Sequence, residues 1–323
     1  MAFPGTGTIW MNGKLVEWKD ATIHVASHVI HYGTGVFEGA RCYDTPRGSA
    51  CFRLDAHMHR LQQSMKVYRM EYRLDLQGWI DAVLETIRAN QMKACYIRPI
   101  AYRGYESLGV NPFTCPVDAA IILWEWGTML GKEALEQGVD AKIATWHRMA
   151  PNTFPAMAKS SANYANSALI KMEAMADGYA EGIALDVDGH VSEGSGQNVF
   201  VVRDGALYTP PLGDSILGGI TRDSIVTLAH DLGIAVTETT LPREALYLAD
   251  EVFFVGTAAE VTPVRSIDKI AIGAGRRGPV TERLQHAFFD VINGVTPDRH
   301  HWLTYVYAED PSRRSAAPVG ARG

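Results

Sequence analysis

The sequence predicts an α+β chain of two domains. Three observations carry this. At 323 residues it is too long for one small core and suits two domains of roughly 150 residues each. Two-residue turn pairs, Asn12-Gly13, Asp188-Gly189 and Asp204-Gly205, mark hairpins in both halves, with helix-period stretches between them. Residues 127–138 hold glycines and charges and little β-character, which is where a linker belongs. The expected layout is a small N-terminal domain over 1–126, a linker over 127–138 and a larger C-terminal domain over 139–307. The last stretch, 308–323, has almost nothing to bury and is expected to be disordered. Hairpins mixed with helices favour α+β halves over a regular βαβ winding.

Taken in order, alternating apolar residues flank Asn12-Gly13 and predict the first hairpin. Met58, Leu61, Met65 and Tyr68 recur at helical spacing and predict a helix starting near Asp55. Trp79, Ile80, Val83, Leu84 and Ile87 predict a second. The apolar runs Ala94–Tyr102 and Val117–Trp126 read as strands. Beyond the linker, Val139–Trp146 reads as a strand, and helices are expected over Tyr164–Ala176, Thr221–Leu232 and Val280–Ile292. Gly233 sits where a helix-ending glycine belongs.

Composition narrows the function classes. The net charge is −6, with no block of like charges, which argues against nucleic acid or an anionic membrane as partner. No run of eighteen apolar residues predicts a transmembrane span, and the N-terminus lacks the basic-then-apolar pattern of a signal peptide. Cys42, Cys51, Cys95 and Cys115 form no CxxC pair and read as reduced, buried thiols of a cytoplasmic protein.

Among residues that could carry chemistry, Lys159 stands apart. The segment 151–167 around it contains no other charge. A desolvated amine is a candidate nucleophile; the alternative is a surface lysine in a small-residue loop. Glu193 lies in Ser-Glu-Gly-Ser-Gly, where glycines permit close backbone approach to a ligand. A pyridine-ring cofactor needs such a carboxylate to keep its ring nitrogen protonated; a solvated turn glutamate is the plainer reading. Gly218-Gly219-Ile220-Thr221 opens a helix, and free amides there suit a phosphate, unless Thr221 is a simple N-cap. Gly256-Thr257-Ala258-Ala259 offers a second anion turn. Tyr96 and Arg98 share a strand face and together suit a carboxylate; an exposed polar face would look the same. His24, His28 and His31 have helical spacing, but Ile23, Val25, Val29 and Ile30 around them favour strand or irregular structure over a metal site. No dinucleotide, Walker or GxSxG motif is present.

Six segments, in order, resemble one family. They are His31-Tyr-Gly-Thr-Gly-Val-Phe-Glu-Gly-Ala-Arg-Cys-Tyr, Tyr96-Ile-Arg-Pro, Ala158-Lys-Ser-Ser-Ala-Asn-Tyr, Ser192-Glu-Gly-Ser-Gly-Gln-Asn-Val-Phe, Gly219-Ile-Thr-Arg-Asp and Gly256-Thr-Ala-Ala-Glu-Val-Thr-Pro-Val. From about Ile9 to Tyr305 the chain resembles the fold-type IV pyridoxal-phosphate aminotransferases, and within them the bacterial branched-chain amino acid aminotransferases. The resemblance implies a small N-terminal α/β domain and a larger C-terminal pseudo-barrel domain, with pyridoxal 5'-phosphate between them. It implies that Lys159 holds the cofactor as a Schiff base and moves the proton, that Glu193 pairs with the ring nitrogen, and that Tyr164 bonds the phenolic oxygen. Arg60, the Ile220 and Thr221 turn and Thr257 would hold the phosphate, with Asn198, Leu217, Gly219 and Gly256 also at the cofactor. Tyr96, with the amides of Thr257 and Ala258, would take the substrate α-carboxylate. Phe37, Gly39, Trp126 and Met129 would line the side-chain pocket, and Arg98 would meet a distal carboxylate at its rim. Tyr32, Leu108 and Val110 would enter from a neighbouring subunit, so the working unit is at least a homodimer; bacterial relatives are often hexamers. The implied reaction moves amino groups between leucine, isoleucine or valine and 2-oxoglutarate, with ping-pong kinetics. Met129 stands where relatives carry an aromatic residue, and Gly218 where they often have proline. The rival readings are a D-amino acid or (R)-amine transaminase, aminodeoxychorismate lyase, a non-catalytic pyridoxal-phosphate carrier, and a cytosolic ligand-binding protein without cofactor, which would not be yellow.

Overall fold

The computed structural model describes residues 5–126 and 132–307. The expected linker residues 127–131, Met129 among them, and the expected tail 308–323 lie outside the described residues.

The first sheet collects β1 (Thr8–Met11), β2 (Lys14–Glu17), β3 (Gly35–Phe37), β4 (Ala40–Thr45), β5 (Gly48–Phe52), β6 (Cys95–Arg103) and β7 (Val117–Trp124). From β5 the order runs β4-β6-β7-β1-β2, with β3 also on β6. The first hairpin forms as expected, because Asn12 (φ 51) and Gly13 (φ 88) both take the left-handed backbone of a primed turn. Between these strands come α1 (His28–Tyr32), α2 (Leu54–Val67) and α3 (Leu76–Asn90). α3 starts at Asp75, whose side chain accepts the Gly78 N–H at 2.8 Å, a standard N-cap. Leu54, Met58, Leu61, Trp79, Val83 and Ile87 pack with Ile97 and Ile121 of the sheet, all fully buried. Trimming one such leucine to alanine costs about 2–5 kcal/mol.

α1 corrects the strand-or-irregular expectation for His28 and His31, while His24 lies in irregular structure as expected. The His28 ring is buried between the Thr34 hydroxyl (2.8 Å) and the Gly109 carbonyl (2.8 Å). Tertiary bonds thus outweigh the β-preference of Val29 and Ile30. Gly33, at φ 66, ends the turn.

The second sheet holds β8 (Val139–Ile143), β9 (Glu181–Leu185), β10 (Val191–Gly194), β11 (Asn198–Arg203), β12 (Ala206–Thr209), β13 (Val236–Glu238), β14 (Glu251–Gly256), β15 (Glu260–Ile267) and β16 (Ile270–Ala271). Its order is β10-β9-β8-β15-β14-β11-β12-β13, with β16 on β15. β8 is parallel to both neighbours and β12 to β13; the other pairs are antiparallel. The helices are α4 (Lys132–Gln137), α5 (Ser161–Ala176), α6 (Ile220–Asp231), α7 (Glu244–Tyr247) and α8 (Pro279–Ile292). α4 therefore lies within the segment expected as linker. β11 and β14 are buried on both faces. Phe200, Val202, Phe253 and Val255 meet α6 and α8, while Val199, Val201, Val252 and Phe254 fill the opposite side. Such strands read as apolar runs without alternation. The last strand, β17 (Leu303–Tyr305), returns to pair with β5 of the first sheet. No described helix is long and apolar enough to cross a membrane.

Polar bonds clamp the two halves together. Arg41 meets Glu260 at 2.8 Å, Arg53 meets Asp223 at 2.7 Å, and Arg60 donates to the Gly218 carbonyl at 2.8 Å. The cavity described next lies along this seam.

Candidate active site

Lys159 sits just before α5, and both its backbone groups are bonded to the N-terminal half. Its N–H donates to Ser64 Oγ on α2 (3.0 Å), and its carbonyl accepts the Phe37 N–H of β3 (3.0 Å). Ser160 then caps α5 by accepting the Asn163 N–H. One turn into the helix, Tyr164 brings its Oη to 2.6 Å from Lys159 Nζ. The amine faces a cavity of about 250 Å³ and lies 5.3 Å from the Phe37 ring centre.

Across the cavity, β10 carries Glu193, only 6% exposed. Its Oε1 meets Arg148 Nη2 at 2.9 Å; its Oε2 accepts the Asn198 amide (3.1 Å) and the Leu217 N–H (3.0 Å). Burial pushes this carboxyl above its ordinary pKa, and Arg148 and the Leu217 amide only partly offset that. The sequence reading missed Arg148. It comes from the loop after β8, 45 residues from its partner, in a segment with no pattern that marks it.

A third wall suits an anion. Gly219 precedes α6 and supplies no side-chain cap, so no capping side chain competes with an anion for the amides that open this helix. A Cβ added at Gly219 would fall 1.9 Å from Asn198 Oδ1, so any larger residue here has to displace Asn198. Arg60 reaches this turn through the Gly218 carbonyl, while its Nε and Nη2 bind Glu38 at 2.6 and 2.9 Å. His57 Nδ1 completes the network at 2.7 Å from Glu38. Burial alone would raise Glu38, but Arg60 and His57 outweigh it and hold the carboxylate well below its usual range. Burial lowers His57, with Glu38 opposing. Neither Glu38 nor His57 figured among the expected site residues.

The remaining wall is aromatic. Tyr96 and Arg98 both line the cavity with Phe37, Gly39 and Trp126. The Tyr96 ring lies 4.8 Å from Trp124 and from Trp126, and its hydroxyl packs where a Cβ on Gly39 would stand, 2.0 Å away. The Arg98 guanidinium rests on Phe37 (4.7 Å), Tyr96 (5.4 Å) and Trp124 (5.5 Å). No ion pair joins it to a carboxylate among the described residues. Gly256, Thr257 and Ala258 close this end. The turn is held by Glu260, which binds Arg41 (2.8 Å) and the Tyr43 hydroxyl (3.3 Å).

Lys159, Tyr164, Glu193, Asn198, Arg60, Leu217, Gly219, Ile220 and Thr221 thus meet the aromatic wall in one cavity. Tyr32, Leu108 and Val110 do not line it; they are exposed on the chain's surface at 43%, 54% and 86%. The arrangement presents an amine beside a phenol, a buried carboxyl opposite, an uncapped helix start and ring faces. These fit the aldehyde, ring nitrogen, phosphate and pyridine ring of pyridoxal 5'-phosphate.

Comparison with known proteins agrees. The model of the family described as amino-transferase class IV matches residues 35–267. The branched-chain-amino-acid aminotransferase of Escherichia coli (strain K12) is 52% identical over 299 residues, covering 92% of this chain and 97% of that protein. A crystal structure of the Escherichia coli branched-chain amino acid aminotransferase superposes with a TM-score of 0.92 at 51% identity, covering 94% of this chain and all of that one. The branched-chain amino acid aminotransferase from Thermobaculum terrenum, solved in its PLP-form, gives a TM-score of 0.88 at 34% identity, covering 94% of this chain and 99% of that one.

Proposed function

The chain belongs to the class IV aminotransferases, and from that premise we propose that it moves the amino group between L-leucine, L-isoleucine or L-valine and 2-oxoglutarate. The observation that supports the reading is one cavity lined by Lys159 and Tyr164, 2.6 Å apart, together with buried Glu193.

Bound pyridoxal phosphate supplies the electron sink that lets a substrate α-carbon give up its proton. The chain's own groups do the rest. Lys159 would hold the cofactor by its amine and, with that amine free, would carry the proton to and from the substrate α-carbon. Tyr164, within hydrogen-bond reach, keeps that amine oriented. Glu193 holds a positive ring nitrogen, with Arg148 and two N–H donors fixing the carboxyl's direction. The open amides of α6 take the phosphate, with Arg60 aligning the turn. Tyr96 and the 257–258 amides hold the α-carboxylate. Phe37 and Trp126 give leucine's branch an apolar wall. One cavity serves both substrates in turn, so the kinetics are ping-pong. Tyr32, Leu108 and Val110, exposed here, complete a neighbouring copy's site in a homodimer or larger assembly. The chain works in the cytoplasm, with residues 1–126 and 139–307 as its two units.

Purified protein given 15N-labelled leucine and 2-oxoglutarate should yield labelled glutamate, and Lys159→Ala should lose both this transfer and the visible absorbance of the bound cofactor. Normal turnover in Lys159→Ala would overturn the proposal.

A further inference from the structure

Four polar side chains on one face of α2 point into the seam between the two halves. His57, Arg60, Ser64 and Tyr68 follow at intervals of three, four and four, which puts them on one face. Each reaches a different part of the site. His57 binds Glu38, beside Phe37 and Gly39 (2.7 Å); Arg60 binds the Gly218 carbonyl ahead of the α6 start (2.8 Å); Ser64 accepts the Lys159 N–H (3.0 Å); and Tyr68 Oη lies 3.0 Å from Ser160 Oγ, the cap of the helix that carries Tyr164.

The geometry points to α2 as the element that sets the position of Lys159 relative to the anion turn, with Ser64 as the positioning residue. The inference rests on the function proposed above. Arg60 and Ser64 are four residues apart, about 6 Å of helix rise. One rigid helix therefore holds two loops, at Lys159 and at Gly218, that are distant in the chain. Ser64 is 1% exposed in the last turn of α2. A serine there commonly bonds back to its own helix; this one instead accepts from a segment 95 residues away. With the Phe37 N–H on the Lys159 carbonyl, it fixes both backbone groups of the lysine. Only the side chain is left free to swing between Tyr164 and substrate. Small errors in the placement of a reacting group cost rate more than binding.

The test compares Ser64→Ala and Ser64→Cys in the cofactor-loaded enzyme, with Lys159→Ala alongside. Cysteine fills the same space but its sulfur is a weak acceptor, so it separates the hydrogen bond from packing. Both Ser64 variants should keep the cofactor and fold. Each should lower kcat about three- to ten-fold, as expected for one lost hydrogen bond. KM for leucine should stay unchanged, and the visible circular dichroism of the bound cofactor should shift. Tyr68→Phe, half-buried at the end of α2, should show the same pattern more weakly and serves if the Ser64 variants do not fold. Wild-type kcat and dichroism in Ser64→Cys, or in Tyr68→Phe where that variant stands in, would overturn the positioning role. So would equal changes in kcat and KM. If those results came with a Lys159→Ala protein that has lost absorbance and turnover, only the role of α2 would fall. Retained turnover in Lys159→Ala would bring down the function proposed above, and this inference with it.

Discussion

Replacing Arg98 with methionine should separate the enzyme's two substrates. Arg98 is a cation with no ion-pair partner among the described residues, held by three aromatic faces 4.7–5.5 Å from its guanidinium carbon. Its Nε has no hydrogen-bond partner among the described residues. Such a group is poised for an incoming anion, and 2-oxoglutarate has a distal carboxylate where leucine has a methyl branch. Losing a hydrogen bond to a charged group costs about 1.5–3 kcal/mol, which is roughly ten- to a hundred-fold in kcat/KM. Leucine should lose only what the ring contacts give indirectly through Phe37 and Tyr96, about 0.5–1 kcal/mol, or two- to five-fold. Methionine keeps a stem against the rings, so the pocket wall survives. Single-turnover rates of each half-reaction, leucine with the loaded enzyme and 2-oxoglutarate with the aminated form, give the two numbers separately. Equal losses for both substrates would refute the reasoning and leave Arg98 as a prop for the aromatic wall.

Three further outcomes follow from the geometry. Glu193→Gln keeps shape but removes the charge opposite Lys159; steady-state rates should fall about ten-fold or more with cofactor still bound, and a near-normal rate would mean another carboxyl does this work. Gly219→Ala forces Asn198 away and with it the bonds to Glu193 and the Leu217 carbonyl. Cofactor affinity, measured by equilibrium dialysis, should drop by about ten-fold or more, as losing a charge-assisted bond implies, and unchanged affinity would show that the turn yields. Burial holds His57 below its ordinary 6.5, so the unfolded chain binds more protons as pH falls through 6.5, and stability declines from there downward. Glu38, held below its ordinary 4.5, keeps its contribution above that value and loses it only at lower pH. Denaturation midpoints across pH should show the upper decline shrink in His57→Gln and the lower one remain.

The pieces legible in the sequence were those with local causes. Asn12-Gly13 takes two left-handed residues in a row whatever surrounds it. The spacing of Met58, Leu61 and Met65 puts them on one helix face before any partner is known. Lys159 stood out because its neighbours carry no charge, and Tyr96 and Arg98 share a cavity because strand side chains alternate. What joins these pieces was not legible. Arg148 finds Glu193 across 45 residues, and Arg60 finds the Gly218 carbonyl across 158. β17 returns to pair with β5 near the chain's beginning, and α1 forms where β-prone residues predicted otherwise. Nothing in a short window encodes such meetings. They depend on which apolar faces pack together, on buried charges that must find counter-charges, and on loop closures whose cost grows only slowly with length. The polar stripe of α2 shows both levels. Its spacing is a property of the sequence, but that Ser64 meets the Lys159 N–H and Arg60 the Gly218 carbonyl was decided only when the two halves closed on each other.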